Sequence, residues 1–492
     1  MVWAMITFIK SIWQAFTGPL SHYPGPKLRA ISILPKAWNE FIGDDTTVVP
    51  SLHAQYGPIV RIAPRELSYS DGSTAFKEIY GFRKSGPNLY KDPAFYATPL
   101  NGMDNMITVL DDASHGRQRK AFTHAFAEKS MRDLEPRLKF WAEKMVAKLD
   151  AHANGRDAID MVKYFNCTTF DIMADLSFNE SLNLLDNAQL TPWVQAIFAG
   201  IKLTARLQAF KRLGGIPSEL IDDLLMKSPI VQAQFWNHFN QSVRRVDRRL
   251  DLQPERPDLW SAVLDEAHRD DLSRQEHYSN ASLFMIAGTE TTASALSGIT
   301  QNLLANPSSL TELVHEIRTA FPDPDDVTLQ QCSSLPYLSA VISEGLRMYP
   351  PIPGTAPRIV PEGGTVIGGR FVPGGTVVGV HHLAAYRNPE HFRDPDAFRP
   401  ERWLRGDDCE EEGMGDEGVF GQDRLGAVMP FGTGPRACLG RNLAYHEMRL
   451  LLVTTLLRFD LELCAESRGW AEGQRSWLFW EKKPLRVVLR RC

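Results

Sequence analysis

The ten residues from Phe431 to Gly440, FGTGPRACLG, constrain the fold of this chain more than any other stretch. Their glycines allow a tight turn whose backbone can lie close to a bulky group. A helix is predicted to begin just after the turn, at about Leu439, and a thiol at a helix N-terminus is favoured as the thiolate. Amide hydrogen bonds to such a sulfur also tune the potential of an iron that it holds. Cys438 is therefore a candidate metal ligand, although a lone cysteine in a glycine-rich turn is more often a small core residue.

The same loop also matches the dinucleotide fingerprint G-x-G-x-x-G/A between Gly432 and Ala437. That fingerprint needs a strand leading into it and an acidic residue about 20 positions later. Pro430 disfavours the strand, and neither Glu447 nor Asp460 has the required spacing. The sequence therefore favours a ligating cysteine over a nucleotide site.

The composition is that of a globular protein with a large core. Hydrophobic residues make up 43% of the 492 residues, and the net charge is −5. Nucleic acid is disfavoured as a partner because its binding needs a basic face. The six cysteines include no C-x-x-C pair, so neither a structural zinc site nor a dithiol motif nor a disulfide framework is expected.

Hydrophobic periodicity predicts a mainly α chain with small β-sheets, an α+β class with a helical bulk. Helical patterns extend from roughly Asp111 to Asn306, including a long run over 279–306, and recur at 309–321, 338–348 and 440–457. Loops are expected near Asn154, Gly214 and Pro254, and strands at 57–69, within 350–380 and in the tail. The polar stretch 405–424 is predicted to be a solvated surface loop. Because no linker divides the core, we expect a single catalytic domain over residues 28–492.

The first residues of the chain are mostly apolar but contain Lys10. Apolar side chains recur at spacings of four and three residues, as on one helix face: Val2, Ile6, Ile9, Trp13 and Phe16. Fifteen residues at ~1.5 Å each cover roughly 22 Å, short of the ~30 Å hydrocarbon core of a bilayer. We therefore predict that residues 1–18 form an amphipathic helix at a membrane interface, followed by a proline-rich connector at 19–27. The alternative is a helix packed on the protein body.

At Cys438 the sequence resembles the cytochrome P-450 family, the thiolate-ligated haem monooxygenases. The family's loop pattern F-x-x-G-x-R-x-C-x-G is matched at five positions, Phe431, Gly434, Arg436, Cys438 and Gly440. The resemblance covers about Pro24 to the C-terminus. It is closest to fungal members that act in secondary metabolism, to judge from Tyr23-Pro-Gly-Pro, Phe398-Arg-Pro-Glu-Arg-Trp403 and Gly440-Arg-Asn-Leu-Ala444.

The resemblance implies the family fold, with a haem b between a long central helix and the loop. The Cys438 thiolate would be the axial ligand, and Phe431 and Gly432 would lie against the haem. The two haem carboxylates need cations when buried. The family's motifs assign this role to Arg436, Arg358 and Arg119. The family commonly has a tryptophan where this chain has His115, which leaves that side chain as a hydrogen-bonding candidate.

Two further motifs match the family. Glu344-x-x-Arg347 can pair on one helix face, and by resemblance Arg402 joins this pair to brace the haem-binding core. The segment Ala287-Gly-Thr-Glu-Thr-Thr292 combines a glycine, threonines and a glutamate within an apolar helix, which costs helix stability. By resemblance, Gly288 leaves room for dioxygen, Thr291 steadies the oxygen ligand and Glu290 relays protons.

The resemblance implies a monooxygenase that inserts one atom of O2 into an apolar small molecule. Five segments are expected to face the substrate: 85–106, 190–213, 284–288, 352–356 and 477–479. No P-loop and no convincing flavin or nicotinamide site is found, so an NADPH-dependent reductase is the implied electron donor. The implied location is the cytosolic face of the endoplasmic reticulum membrane.

Two alternatives stay open at this point. A same-fold isomerase, dehydratase or peroxide-driven enzyme would not need the proton relay of Glu290 and Thr291, whose presence argues against it. A haem-binding sensor would need neither the relay nor a reductase.

Overall fold

The computed structural model describes residues 2–83, 86–99, 101–213, 229–251, 258–261, 263–264, 272–404 and 419–492. Helices predominate in these ranges and the strands are short and clustered, as the sequence predicted. Most of the predicted surface loop at 405–424 lies outside the described residues, as do the breaks expected near Gly214 and Pro254.

The helices surround one long central helix. Those before it are α1 (Val2–Thr17), α2 (Lys27–Ile31), α3 (Leu34–Ile42), α4 (Asp45–Tyr56), α5 (Gly72–Tyr80), α6 (Asp112–Thr123), α7 (Glu128–Asp133), α8 (Glu135–Asp150), α9 (Met161–Phe178), α10 (Leu184–Asn187), α11 (Pro192–Arg212) and α12 (Pro229–Asp251). The central helix and those after it are α13 (Arg274–Ala305), α14 (Pro307–Ala320), α15 (Leu329–Ser333), α16 (Pro336–Met348), α17 (His382–Tyr386) and α18 (Arg441–Arg458).

The strands form small sheets at the edges of the helical body. They are β1 (Ile59–Ala63), β2 (Glu66–Tyr69), β3 (Tyr90–Lys91), β4 (Asn154–Asp160), β5 (Arg358–Ile359), β6 (Thr365–Ile367), β7 (Arg370–Val372), β8 (Val377–Val380), β9 (Phe459–Leu463), β10 (Ser476–Trp477), β11 (Phe479–Trp480) and β12 (Arg486–Arg491). One sheet has the order β1-β2-β8-β5-β3, another β4-β12-β9, and β6-β7 and β10-β11 are hairpins. β1 and β2 pair around the predicted turn at Pro64, with Ile59 opposite Tyr69.

One prediction for this part of the chain is wrong. The region of Asn154, expected to be a loop, forms β4 and pairs with β12, with Val487 opposite Ile159. The sequence near Asn154 gives no sign of this strand because its partner lies more than 300 residues away.

The central helix α13 runs through the core for 32 residues. Ser273 and Glu276 form a capping box at its start, which satisfies its first amide groups. Phe284 packs edge-on against Phe122 at 4.9 Å and against Trp260 at 5.7 Å between ring centroids. α13 is therefore held in the core by aromatic packing around Phe284.

Helix α1 carries apolar side chains that do not pack on the body. Ile9, Trp13 and Phe16 are 56%, 64% and 51% exposed, whereas Ala15 is buried and its carbonyl accepts a hydrogen bond from Arg61. Within the part of the chain that the structure describes, no helix is long and apolar enough to cross a membrane.

Candidate functional site

The cysteine loop, residues 431–440, closes on itself directly before α18. The amide of Cys438 donates to the carbonyl of Phe431 over 2.8 Å. Gly434 has a φ angle of 74°, in the left-handed region that favours glycine, and its Cβ would lie 2.0 Å from the carbonyl oxygen of Tyr80. A side chain at this position would therefore push the loop away from α5.

Phe431 and Gly432 form the start of the loop. The Phe431 side chain is half-buried, and its ring centroid lies 5.1 Å from that of Tyr445 on α18. Gly432 is exposed and has a φ angle of 67°. Both residues are placed next to the sulfur-bearing end of the loop, as the sequence motif requires.

The Cys438 side chain is accessible although protein surrounds it on nearly all sides, so the thiol opens onto an internal cleft. Burial raises the pKa of the thiol, and the Gly440 amide and the Arg119 guanidinium oppose this effect without overcoming it. Helix α18 begins at Arg441, later than predicted. Gly440 is the N-cap of this helix, and Cys438 lies two residues before it. A metal ion deprotonates a thiol that coordinates it, whatever the pKa of the free thiol.

One face of α13 lines the other side of this cleft. Leu283, Ile286, Ala287 and Thr291 are half-buried within a helix that is otherwise mostly buried, and their spacing places them on one face. Phe126 links the two sides. Its ring lies 5.7 Å from that of Phe284 on α13, and its edge lies 3.9 Å from the Cβ position of Gly440 in the cysteine loop.

Two predicted arginines border the cleft at the cysteine loop. Arg436 donates to the carbonyl of Val109 over 2.9 Å and to Asp112 over 2.8 Å. Arg119 on α6 donates to the carbonyl of Ala437, next to the cysteine, over 2.6 Å. Both residues are half-buried, and the Arg436 side chain is 9% exposed, so the two charges are only partly hydrated.

A third predicted arginine, Arg358, lies on β5. Its guanidinium donates to the hydroxyl of Tyr96 over 2.9 Å and lies over the rings of Tyr80 and Tyr96. Lys91, on the neighbouring strand β3, is a further buried cation, which the sequence analysis missed because no motif marks it.

His115 on α6 is buried among these cations. Burial and the charges of Arg436, Lys91 and Arg119 lower its pKa to about 3. The imidazole is therefore neutral at ordinary pH, and it can take part in hydrogen bonds but cannot supply positive charge. A ligand that brings a metal ion and carboxylates together would satisfy both the accessible thiol and this excess of cations, so the residues fit a haem.

Thr291 and Glu290 are adjacent on α13 but have different surroundings. The Thr291 hydroxyl, on the cleft face, donates to the carbonyl of Ala287 over 2.6 Å. Glu290 is 2% exposed and pairs with Lys482, and the Ser294 hydroxyl donates to it over 3.2 Å. Its second carboxylate oxygen has no hydrogen-bond partner among the described residues.

The ion pair with Lys482 is a second feature that the sequence analysis missed. Burial raises the pKa of Glu290 even though Lys482 counteracts it. Because Lys482 lies on the C-terminal segment, far along the chain from α13, only the folded chain brings the two together. Burial therefore favours the neutral form of this carboxyl group, and the Lys482 ammonium favours the ionised form.

The predicted supporting residues form a fully buried ion-pair network. Arg347 binds both carboxylate oxygens of Glu344 over 2.8 Å, and Arg402 donates to one of them over 3.0 Å. The amide of Arg399 and the indole of Trp403 add two more hydrogen bonds. Burial opposes ionisation of Glu344, but its partners, Arg347 first, hold its pKa below the usual range.

This network reaches the cysteine loop through α17. Arg347 donates to the carbonyl of Tyr386 over 2.8 Å, and the Tyr386 hydroxyl accepts from the amide of Met429 over 3.0 Å. Met429 precedes Phe431 by two residues. The buried ion pair is thus connected to the start of the loop that presents Cys438.

Three residues expected to face the substrate or dioxygen have close contacts with other parts of the protein. Phe284 packs into the core, and the Cβ position of Gly288 points at the Met173 sulfur, 2.6 Å away. Gly288 therefore allows the close approach of α9, and it is itself half-buried, like its neighbours on the cleft face. Trp477 is buried against Gly43 under Lys202. Two positions of the expected substrate segments, Ser85 and Leu100, lie outside the described residues.

Comparisons with known proteins agree with this geometry. The sequence model of the cytochrome P-450 family matches residues 42–489. The cytochrome P-450 monooxygenase efuB of Hormonema carpetanum is 41% identical over 488 residues, which cover 98% of this chain and 94% of that protein. Averantin hydroxylase of Dothistroma septosporum is 37% identical over 495 residues, with coverages of 99% and 89%.

A solved structure, the crystal structure of a cytochrome P-450 haem domain, matches with a TM-score of 0.75 at 19% identity. The match covers 96% of this chain and 98% of that one, and it shows the fold. The chain belongs to the cytochrome P-450 family. It is an oxidoreductase of the haem-thiolate monooxygenase class, which confirms the family, the fold class and the type of enzyme predicted from the sequence.

Removing the charge of Glu344 should strongly destabilise the protein. We expect Glu344→Gln to lower the free energy of unfolding by about 3–5 kcal/mol, since it leaves two buried arginines without their carboxylate. Urea unfolding at fixed pH measures the change. The control Glu462→Gln breaks an exposed pair with Arg490 and should cost at most about 1 kcal/mol. Equal losses in the two variants would contradict the structural role of Glu344.

Proposed function

We propose that the Cys438 thiolate holds a haem b in the cleft and that the enzyme hydroxylates, or similarly oxidises, an apolar small molecule of fungal secondary metabolism. The accessible thiol of Cys438 supports this proposal most directly. It lies in a cleft that has cations on one side and α13 on the other. When bound, the haem supplies dioxygen activation and oxygen insertion into a C–H bond, which electron donation from the thiolate favours.

The protein's own residues have separable tasks in this scheme. Arg436, Arg358 and Arg119 hold the haem carboxylates, with His115 as a neutral hydrogen-bonding partner. The half-buried apolar face of α13 excludes water and receives the apolar substrate. The aliphatic character of this face favours hydrophobic substrates. The proposed hydroxylation agrees with the name of one relative, averantin hydroxylase.

Proton delivery is assigned to Glu290 and Thr291. Glu290 takes up and releases a proton at a buried carboxyl group whose second oxygen has no partner among the described residues. A shift of this oxygen towards the cleft would bring its proton near the Thr291 hydroxyl, which already faces the cleft. Lys482 and Ser294 hold the carboxyl group in place between such transfers.

Electrons come, in this proposal, from a separate NADPH-dependent reductase. Exposed Arg441, at the start of α18 directly after the cysteine loop, supplies positive charge for an acidic partner.

The membrane is the proposed meeting place with that reductase. We assign residues 1–18 to a membrane-associating helix, 19–27 to a connector and 28–492 to the catalytic domain. The exposure of Ile9, Trp13 and Phe16 argues against the alternative of a helix packed on the body. Further exposed apolar side chains follow on α2 and α3: Leu28, Leu34, Trp38 and Phe41. This surface suits interfacial binding at the cytosolic face of the endoplasmic reticulum.

Replacing the proposed ligand should abolish thiolate ligation. We expect Cys438→Ala to lose the carbon-monoxide spectrum of a thiolate-bound haem and all product formation with a reductase. The control Cys464→Ala removes a half-exposed thiol outside the loop and should retain both. An unchanged spectrum in Cys438→Ala would refute the assignment.

The cleft-facing threonine should control how efficiently electrons reach product. We expect Thr291→Ala to consume NADPH while releasing peroxide, with a severalfold lower ratio of product to NADPH. Thr292→Ala is the matched control, because Thr292 makes the same bond to the preceding turn but is buried away from the cleft. If both variants couple like the wild type, Thr291 has no part in proton delivery.

The exposed face of α1 should determine membrane binding. Trp13→Asp should reduce binding to lipid vesicles roughly tenfold, because a buried aromatic contributes about 1.5–3 kcal/mol. Co-sedimentation of the full chain measures this, and Gln14→Asp adds the same charge on the neighbouring polar side as a control. Equal binding by both variants would place the contact elsewhere.

A further inference from the structure

Lys91 is a buried cation without an anionic partner. It is 7% exposed and donates to the carbonyl of Ile107, and its ammonium lies 4.7 Å from the centre of the Tyr96 ring. None of the carboxylates in the described ranges forms an ion pair with it. A charged group in such a place is costly unless a counter-charge is supplied.

The sheet places a second cation directly opposite. In the antiparallel pair of β3 and β5, Lys91 faces Arg358. Like charges in this position destabilise a sheet. Tyr96 connects the two, since its ring lies under the ammonium and its hydroxyl accepts a hydrogen bond from Arg358 over 2.9 Å. The hydroxyl proton of Tyr96 is donated to no acceptor among the described residues.

The charges around Lys91 are predominantly positive. Burial, followed by Arg436 and Arg358, lowers its pKa to about 6, while Asp112 and Asp104 act in the opposite direction without compensating. The neighbouring His115 is also held neutral, with its pKa lowered to about 3 by burial and the same cations. This corner of the site is therefore short of negative charge.

We propose that Lys91 and Tyr96 form, with Arg358, a binding element for one carboxylate of the haem, an element that the sequence motifs do not include. The proposal rests on the proposed placement of haem in the cleft. The Lys91 ammonium and the Tyr96 hydroxyl each donate a hydrogen bond to this carboxylate, and Arg358 donates to the Tyr96 oxygen. The carboxylate supplies the missing negative charge between the paired strands.

Haem retention by the holoenzyme tests this element. Without substrate, Lys91→Gln should transfer its haem to excess apomyoglobin at least about tenfold faster than the wild type, since a charged hydrogen bond contributes about 1.5–3 kcal/mol. Lys91→Arg, which keeps the charge, should stay within about threefold of the wild type. Lys120→Gln removes an exposed cation from neighbouring α6 and should leave the rate unchanged.

The reduction potential of the haem gives a second, independent measurement. Loss of a positive charge beside the haem disfavours the added electron, so the midpoint potential of Lys91→Gln should fall relative to that of Lys120→Gln. Tyr96→Phe keeps the ring but removes the hydroxyl, and it should speed haem loss severalfold. If Lys91→Gln does not fold, this variant and Lys91→Arg decide the question through the same two measurements.

The outcomes separate this inference from the proposal on which it rests. Wild-type rates of haem loss in Lys91→Gln and Tyr96→Phe, with the thiolate spectrum intact, would overturn the role of Lys91 and Tyr96 alone. A wild-type protein without a thiolate spectrum would overturn the placement of haem at Cys438. An effect that appears only when an acidic substrate is present would assign the element to a substrate carboxylate and also overturn the inference.

Discussion

The buried carboxylate of Glu344 is the interaction on which the arrangement of the site depends. It accepts hydrogen bonds from Arg347 and Arg402, which come from two separate segments, and all three side chains are fully buried. Such a group is stable only with all its partners, since removing one leaves an uncompensated charge. The network therefore fixes α16 against the segment before the cysteine loop. Through Tyr386 and Met429 it also fixes the position from which Cys438 is presented.

The two sides of the cleft differ in their balance of charge. On the side of the cysteine loop, cations gather with few carboxylates, and Lys91 and His115 have lowered pKa values as a result. On the side of α13, Glu290 and Lys482 form a closed pair that carries no net charge. A ligand with carboxylates at one edge and an apolar plane elsewhere matches this asymmetry. This distribution of charge would therefore orient such a ligand, with its carboxylates towards the cations, independently of its contact with the thiol.

The sequence predicted the parts of the site that lie within short motifs. The cysteine loop is local, and the pairing of Glu344 with Arg347 follows from their spacing on one helix. The contacts of Lys482 and Lys91 could not be predicted from the sequence. The partner of each lysine, Glu290 and Arg358 respectively, lies nearly 200 or more positions away along the chain. The packing of a residue against a distant helix could not be predicted from the sequence either. Gly288 lies in the expected motif, but its close packing against Met173 of α9 is visible only in the structure.

The cationic corner also couples cofactor binding to folding. Without an anion, Lys91 opposite Arg358, with Arg436 nearby, either bears like-charge repulsion or loses its proton, as its lowered pKa indicates. A ligand that binds only the folded chain stabilises it by mass action. A ligand that also removes this repulsion stabilises the folded state further, because its negative charges lie next to the cations of the sheet and the cysteine loop. With haem bound as proposed, the residues that hold its carboxylates would also make the stability of the folded state depend on haem. This dependence follows from the charge distribution and does not require the thiolate bond.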